Sequence, residues 1–340
     1  MIRMPHLRSW SRRAAVLGSL ALAVLLGTSG PAGAQGGAVA LVAYSTPKPA
    51  FAALIKGFQA TQQGSGVTFT QSFGASGTQA TSVTQGLPAD VVNFSTSLDM
   101  EKVVKAGDVS STWAKGPTKG IVTDSIVSFI VRKGNPKHIT SWADLVKKGV
   151  SVITPNPFSS GSAKWNLLAA YGAELSLGKS KTRATAYLGQ LLQHTTAQPS
   201  SASNALQAFL SGQGDVLLDY EDDALYAQRQ GEAITVVTPP QTILIQNPIA
   251  VTTHAANPAA AKAFVSYLES PAGQKLWGQQ GYRPVLPKVA AQFKFPQPKN
   301  LFTINSLGGW TKVNKAFFDP ETGSVAKIEQ GLGVSTAKSS

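Results

Sequence analysis

The chain has 340 residues, of which 43% are hydrophobic and 14% charged, with a formal net charge of +13 and no cysteine. Such a composition is too apolar for a disordered chain and long enough for one large core or two smaller ones. The missing cysteine excludes disulfides, thiol catalysis, cysteine-held metals and a lipid-modified N-terminal cysteine, and the dispersed lysines form no basic, aromatic-interleaved groove for nucleic acid.

The first 34 residues read as a secretory signal peptide. Arg3, Arg8, Arg12 and Arg13 precede an apolar stretch over 14–26, too short to span a bilayer comfortably, and Pro31-Ala32-Gly33-Ala34 offers an A-x-A cleavage site. Ser11-Arg12-Arg13 leaves the twin-arginine route open beside the general one. Cleavage after Ala34 lowers the charge to +9 and predicts a protein of the periplasm or the cell exterior.

Apolar runs and helical patterns then alternate. A strand is expected over 38–43, and a helix over 49–60 with Phe51, Leu54, Ile55 and Phe58 on one face. A strand follows at 67–70, a helix at 78–85 and a strand at 91–94. Further on come a strand at 150–153, a helix from 163, a helix at 202–209, and strands at 215–219, 234–237 and 243–245. Helices at 258–268, with proline at its opening position, and 272–278 close the series. The alternation implies an α/β fold with mostly parallel sheets. Pro239-Pro240 and 292–299 read as loops, and 331–340 as a disordered tail. Trp142, Trp165, Trp277 and Trp310 lie in or near helical patterns, where core packing explains them.

Four strand-to-helix junctions share one chemistry. They are Tyr44-Ser45-Thr46-Pro47, Phe73-Gly74-Ala75-Ser76-Gly77, Ser159-Ser160-Gly161-Ser162 and Ser200-Ser201-Ala202-Ser203. Each offers hydroxyls and small residues at a helix start, where backbone N–H groups lack partners and the dipole is positive. Ordinary capping explains any one of them; together, without an acid in their cores, they suit an anion.

Rival chemistry finds less support. Gly74-Ala75-Ser76-Gly77 misses the spacing of the G-x-S-x-G elbow, so a serine hydrolase using Ser76 is the weaker alternative. His138, His194 and His254 stand apart in sequence, and no metal-ligand spacing or P-loop occurs. No metal or cofactor is expected. A third alternative is a basic scaffold for polyanions, marked by salt-sensitive binding.

The segment 71–80, QSFGASGTQA, resembles the Q-S-H-G-G-S-G-K-Q-A stretch of the sulfate- and thiosulfate-binding proteins of bacterial ABC importers. Residues 86–92 match its continuation. VITPNPFSSGSAKWN at 152–166 resembles V-I-T-P-N-P-K-T-S-G-G-A-R-W-N, and GDVLL at 214–218, GYRPV at 281–285 and FTI at 302–304 also fit. The resemblance spans about 41–310. It implies a two-lobe periplasmic-binding-protein fold of type II, each lobe a mixed, mostly parallel sheet flanked by helices, with the ligand in the cleft between them. The implied lobes are 35–123 plus about 241–330, and 124–240.

The resemblance also implies a monomer that holds dehydrated sulfate by neutral donors and hands it to an ABC permease driven by an ATPase. Those donors are the N–H of Ser45, the hydroxyls of Ser76 and Ser160, the N–H groups of Gly161, Ser162 and Ala202, and the side chain of Tyr220. Three positions depart from the pattern: Ser45 replaces an aspartate, Ser162 a glycine and Tyr220 a tryptophan. Thiosulfate, molybdate and phosphate remain alternative ligands. A donor-only pocket suits sulfate, whereas hydrogen phosphate needs an acceptor for its proton. Glu221, Asp222 and Asp223 are expected to be helix-start acids facing solvent.

Overall fold

Residues 36–336 are described by a computed structural model. The expected signal peptide and the last four residues of the expected tail lie outside the described residues. The first half of the chain runs β1 (Ala38–Tyr44), α1 (Lys48–Gln59), β2 (Thr68–Gly74), α2 (Ser76–Thr84), β3 (Val91–Asn93), α3 (Ser97–Lys105) and β4 (Ile121–Arg132). Then follow β5 (Val152–Ile153), α4 (Gly161–Ser176), α5 (Lys181–Gln193), β6 (Thr195–Ala197), α6 (Ala202–Leu210), β7 (Val216–Tyr220), α7 (Glu221–Arg229) and β8 (Ile234–Val237). The chain closes with β9 (Gln241–Val251), α8 (Pro258–Glu269), α9 (Pro271–Gln279), α10 (Pro287–Ala290), β10 (Asn300–Phe302), α11 (Trp310–Val313) and α12 (Ser324–Gly331). Among the described residues no helix is long and apolar enough to cross a membrane.

Local pattern accounts for most of these elements. α1 buries Ala50, Phe51, Leu54, Ile55 and Phe58, the stripe its periodicity predicts. Phe58 meets Phe264 with ring centroids 5.2 Å apart, and Phe51 meets Trp277 edge-on at 5.3 Å. β4 is absent from the expected strands. Its sequence IVTDSIVSFIVR is buried on both faces, so it lacks the two-residue alternation of a half-exposed strand.

The strand order is β2-β1-β3-β9-β4-β7-β5-β6, with β10 paired to β9 and β8 to β4. β1 is parallel to β2 and β3, and β5 is parallel to β6 and β7. Two long antiparallel strands join these groups. β9 pairs with β3 through Ile249–Val251 and with β4 through 244–248. β4 continues past β9 to pair with β7 and β8 through 127–132. The chain thus crosses twice between the two parallel groups, on β4 and on β9.

Apolar side chains gather separately on each side. One core joins Leu41, Phe51, Phe58, Val122, Phe264 and Trp277, with a satellite around Phe94 and Met100. The other joins Phe129, Trp142, Trp165, Leu188 and Ile245, with a satellite around Ile153, Phe209 and Leu217. Trp142, Trp165 and Trp277 are buried as expected, and Trp310 stacks edge-on against Trp165 at 4.6 Å. Phe302, Ile304, Val313, Phe317 and Val325 belong to the second core. The segment from β10 to α12 therefore packs with α4 and α5, whereas the resemblance implies that 241–330 goes with the first half.

Candidate oxyanion site

Each junction sits where a strand's carboxyl end meets a helix start, the usual ligand edge of an α/β sheet. Ser160 is the residue before α4, yet its hydroxyl makes no capping bond to that helix, and Ala75 has none to give α2. The N–H groups of Gly161, Ser162 and Ala202 open α4 and α6, where no earlier turn supplies a carbonyl.

Long-range contacts close the junctions into a ring. The Ser203 N–H donates to Ser45 Oγ at 3.4 Å, and Ser159 Oγ donates to the Ser200 carbonyl at 2.8 Å. The Gly77 N–H donates to the Ser159 carbonyl at 3.2 Å. Tyr220 Oη lies 2.8 Å from Ser95 Oγ. Tyr44, beside Ser45, places its ring 6.3 Å from that of Tyr220. Ser76, Ser160, Gly161, Ser162, Ala202 and Tyr220 are all buried here, and Ser45 is half-buried. Burial raises the Tyr220 phenol well above its ordinary range, so it stays protonated and able to donate.

The ring departs from the sequence reading in two ways. Ser76 Oγ donates to Asp99 Oδ2 at 2.6 Å and accepts from the Ser95 N–H at 2.9 Å. A hydroxyl has one proton, and here that of Ser76 goes to Asp99, an acid of α3 that folding brings beside a junction with none of its own. Ser95 is the residue that the sequence reading misses. Phe94-Ser95-Thr96-Ser97 is a fifth junction of the same composition, between β3 and α3. Ser95's carbonyl accepts from Trp165 Nε1 at 2.8 Å and Asn247 Nδ2 at 3.1 Å.

The acids that follow Tyr220 do not face solvent. Glu221, Asp222 and Asp223 are all buried, because α7 starts directly from the buried end of β7. Glu221 takes a two-pronged bond from Arg283, with Nε to Oε2 at 2.6 Å and Nη2 to Oε1 at 3.0 Å. Asp222 accepts from Ser125 Oγ at 2.5 Å, and Asp223 from Thr46 Oγ1 at 2.9 Å. Burial pushes the carboxyls of Asp219 and Asp222 well up, and those of Asp223 and, on β4, Asp124 to about 7.

These shifts set a pH dependence. A free aspartate titrates near ~4, so between ~4 and about 7 Asp223 and Asp124 hold protons in the folded chain that the unfolded chain has released. The stability these two contribute then falls as pH rises through that window, and the raised carboxyls of Asp219 and Asp222 act in the same direction. Each such group contributes up to ~1.4 kcal/mol per pH unit. Thermal unfolding followed by circular dichroism should give a higher Tm at pH 5 than at pH 8. The opposite order would mean that these carboxyls are ionised in the fold.

The model of the bacterial extracellular solute-binding protein family matches residues 39–283. A sulfate-binding protein of Synechococcus elongatus is 36% identical over 305 residues, covering 86% of this chain and 87% of its own length. A sulfate-binding protein of Escherichia coli K12 is 37% identical, covering 82% and 88%. Among solved structures, the sulfate-binding protein SubI from Mycobacterium tuberculosis H37Rv superposes with a TM-score of 0.81 at 46% identity, covering 83% of this chain and 99% of that one.

Proposed function

Since the chain belongs to the bacterial extracellular solute-binding protein family, we propose that it captures sulfate outside the cytoplasm and presents it to an ABC permease driven by its ATPase. The observation that carries this reading is the buried approach of the α4 N-terminus and the Tyr220 hydroxyl to one oxygen, Ser95 Oγ, beside a Ser160 hydroxyl that makes no capping bond to α4. Sulfate is a pure acceptor at neutral pH. Helix-opening N–H groups and hydroxyls meet it without a counter-cation or a proton acceptor. The protein works as a monomer and does no chemistry on its ligand, and the N-terminal signal peptide exports it.

In this reading the halves are two lobes. One holds 36–123 with the chain from about 246 to 299, the other 124–240 with 300–331, and β4 and β9 form the hinge. Anion contacts come from Ser45, Ser160, Gly161, Ser162, Ala202 and Tyr220. Cross-lobe bonds such as Trp165 to Ser95, Thr46 to Asp223 and Gly77 to Ser159 hold the closed form. An anion that touches both lobes favours closure only through contacts absent from the open form.

Titration calorimetry on protein freed of bound anion tests the proposal. One-to-one binding of sulfate with weak binding of phosphate and molybdate is expected. Ser160→Ala should weaken sulfate by about 1–3 kcal/mol, roughly 5- to 150-fold in Kd. Preference for phosphate or molybdate would overturn the ligand, and an unchanged Kd in the variant would remove Ser160 from the site.

A further inference from the structure

Ser95 is held more tightly than any capping role requires. Its N–H goes to Ser76 Oγ, and its carbonyl receives both the Trp165 indole and the Asn247 amide. Ser95 has no exposed surface. With the backbone tied from three elements, its hydroxyl is aimed at Tyr220 Oη, 2.8 Å away. The same oxygen covers the start of α4: a Cβ built on Gly161 would stand 2.5 Å from Ser95 Oγ. Ser95 therefore occupies the space between the phenol and the helix N-terminus.

Resting on the sulfate reading of this site, we propose that Ser95 is a specificity-determining residue, which positions the Tyr220 hydroxyl and sets the size of oxyanion the cradle accepts. A phenol and an alcohol at this separation share one proton between their oxygens and keep one for another acceptor. When Ser95 donates to Tyr220 Oη, the phenol proton is free for the anion. A phenol that accepts one bond also becomes the stronger donor for the next. Removing the Ser95 hydroxyl releases the phenol and opens a space the size of one oxygen beside Gly161. Tetrahedral sulfate loses by this, whereas the larger molybdate gains room.

The test is titration calorimetry with sulfate and molybdate on the full protein and on Ser95→Ala, Tyr220→Phe and the double variant. Ser95→Ala should raise the sulfate Kd about tenfold, the scale of one hydrogen bond to a charged group. Molybdate should lose less, so the preference for sulfate over molybdate shrinks at least several-fold. The double variant should bind sulfate no more weakly than Tyr220→Phe alone, because Ser95 acts through the phenol. Equal losses for both anions would mark a merely structural residue and overturn the proposal. So would full additivity of the two single variants, or a Ser95→Ala protein with the parent's affinities. Should Ser95→Ala fail to fold, the proposal still requires Tyr220→Phe to shrink the sulfate preference, and an unchanged preference there overturns it. A parent protein that binds no sulfate would instead overturn the sulfate reading itself.

Discussion

Replacing Gly161 by alanine should cost roughly 5- to 150-fold in sulfate affinity while the unliganded protein stays folded. The reason is space across the cleft. A Cβ at 161 would lie 2.5 Å from Ser95 Oγ, 2.9 Å from Ser95 Cβ and 2.9 Å from Thr96 Cγ2. Rotating the serine hydroxyl relieves the first contact but not the other two. Ser95 cannot retreat, because its carbonyl is bonded to Trp165 and Asn247. Overpacking of this kind costs about 1–3 kcal/mol, or roughly 5- to 150-fold in Kd. In the proposed two-lobe reading the penalty falls on the closed form, where 95 and 161 meet, and alanine is a better helix former than glycine at the start of α4. Calorimetry and a melting curve without ligand separate the effects. Parent-like affinity would show that the two segments do not meet when sulfate is bound, and a collapsed Tm would show that the contact is needed for folding itself.

The second large effect concerns stability. Arg283→Ala should lower it by about 3–5 kcal/mol, the usual cost of stripping one partner from a buried ion pair. The side chains of Arg283 and Glu221 are only 11% and 1% exposed. Arg283 also donates to the Pro296 carbonyl, and its backbone pairs with Asp124 on β4. The guanidinium thus ties α7 to the loop after α10, while the Arg283 backbone is pinned to β4. Without it Glu221 is left as a buried carboxylate whose pKa, already raised by burial and held down only by Arg283, must rise further. A group with a raised folded pKa loses its stabilising effect as pH increases, so the deficit should be larger at pH 8 than at pH 5. Chemical denaturation at both values checks this. A loss below about 1 kcal/mol, or one independent of pH, would mean that Glu221 finds another partner or reaches water. Adding Glu221→Gln to Arg283→Ala should recover part of the loss, since an amide is cheaper to bury unpaired than a charge.

Capping and periodicity act within a few residues, and they placed α1, α2, α4, α6, α8 and α9 close to their observed positions. The small-polar junctions before them were legible for the same reason. Serine and glycine at a helix start have a local meaning before any tertiary contact forms. The specific stretches QSFGASGTQA and VITPNPFSSGSAKWN carried the family as well.

What the junctions do with their hydroxyls was decided elsewhere. Ser76 lies 23 positions from Asp99, Thr46 lies 177 from Asp223, and Ser95 lies 125 from Tyr220. A hydroxyl's single proton goes to whichever acceptor folding brings nearest, and no local pattern names that acceptor. The acids of α7 read as solvent-facing because acids favour helix starts; they are buried because the strand before them ends inside the protein. β4 escaped notice because a strand covered on both faces has no alternation to show. The chain by itself determined where strands give way to anion-competent helix starts. Only the tertiary structure decided which of those hydroxyls are taken by protein partners, because proton sharing and burial depend on neighbours far away in sequence.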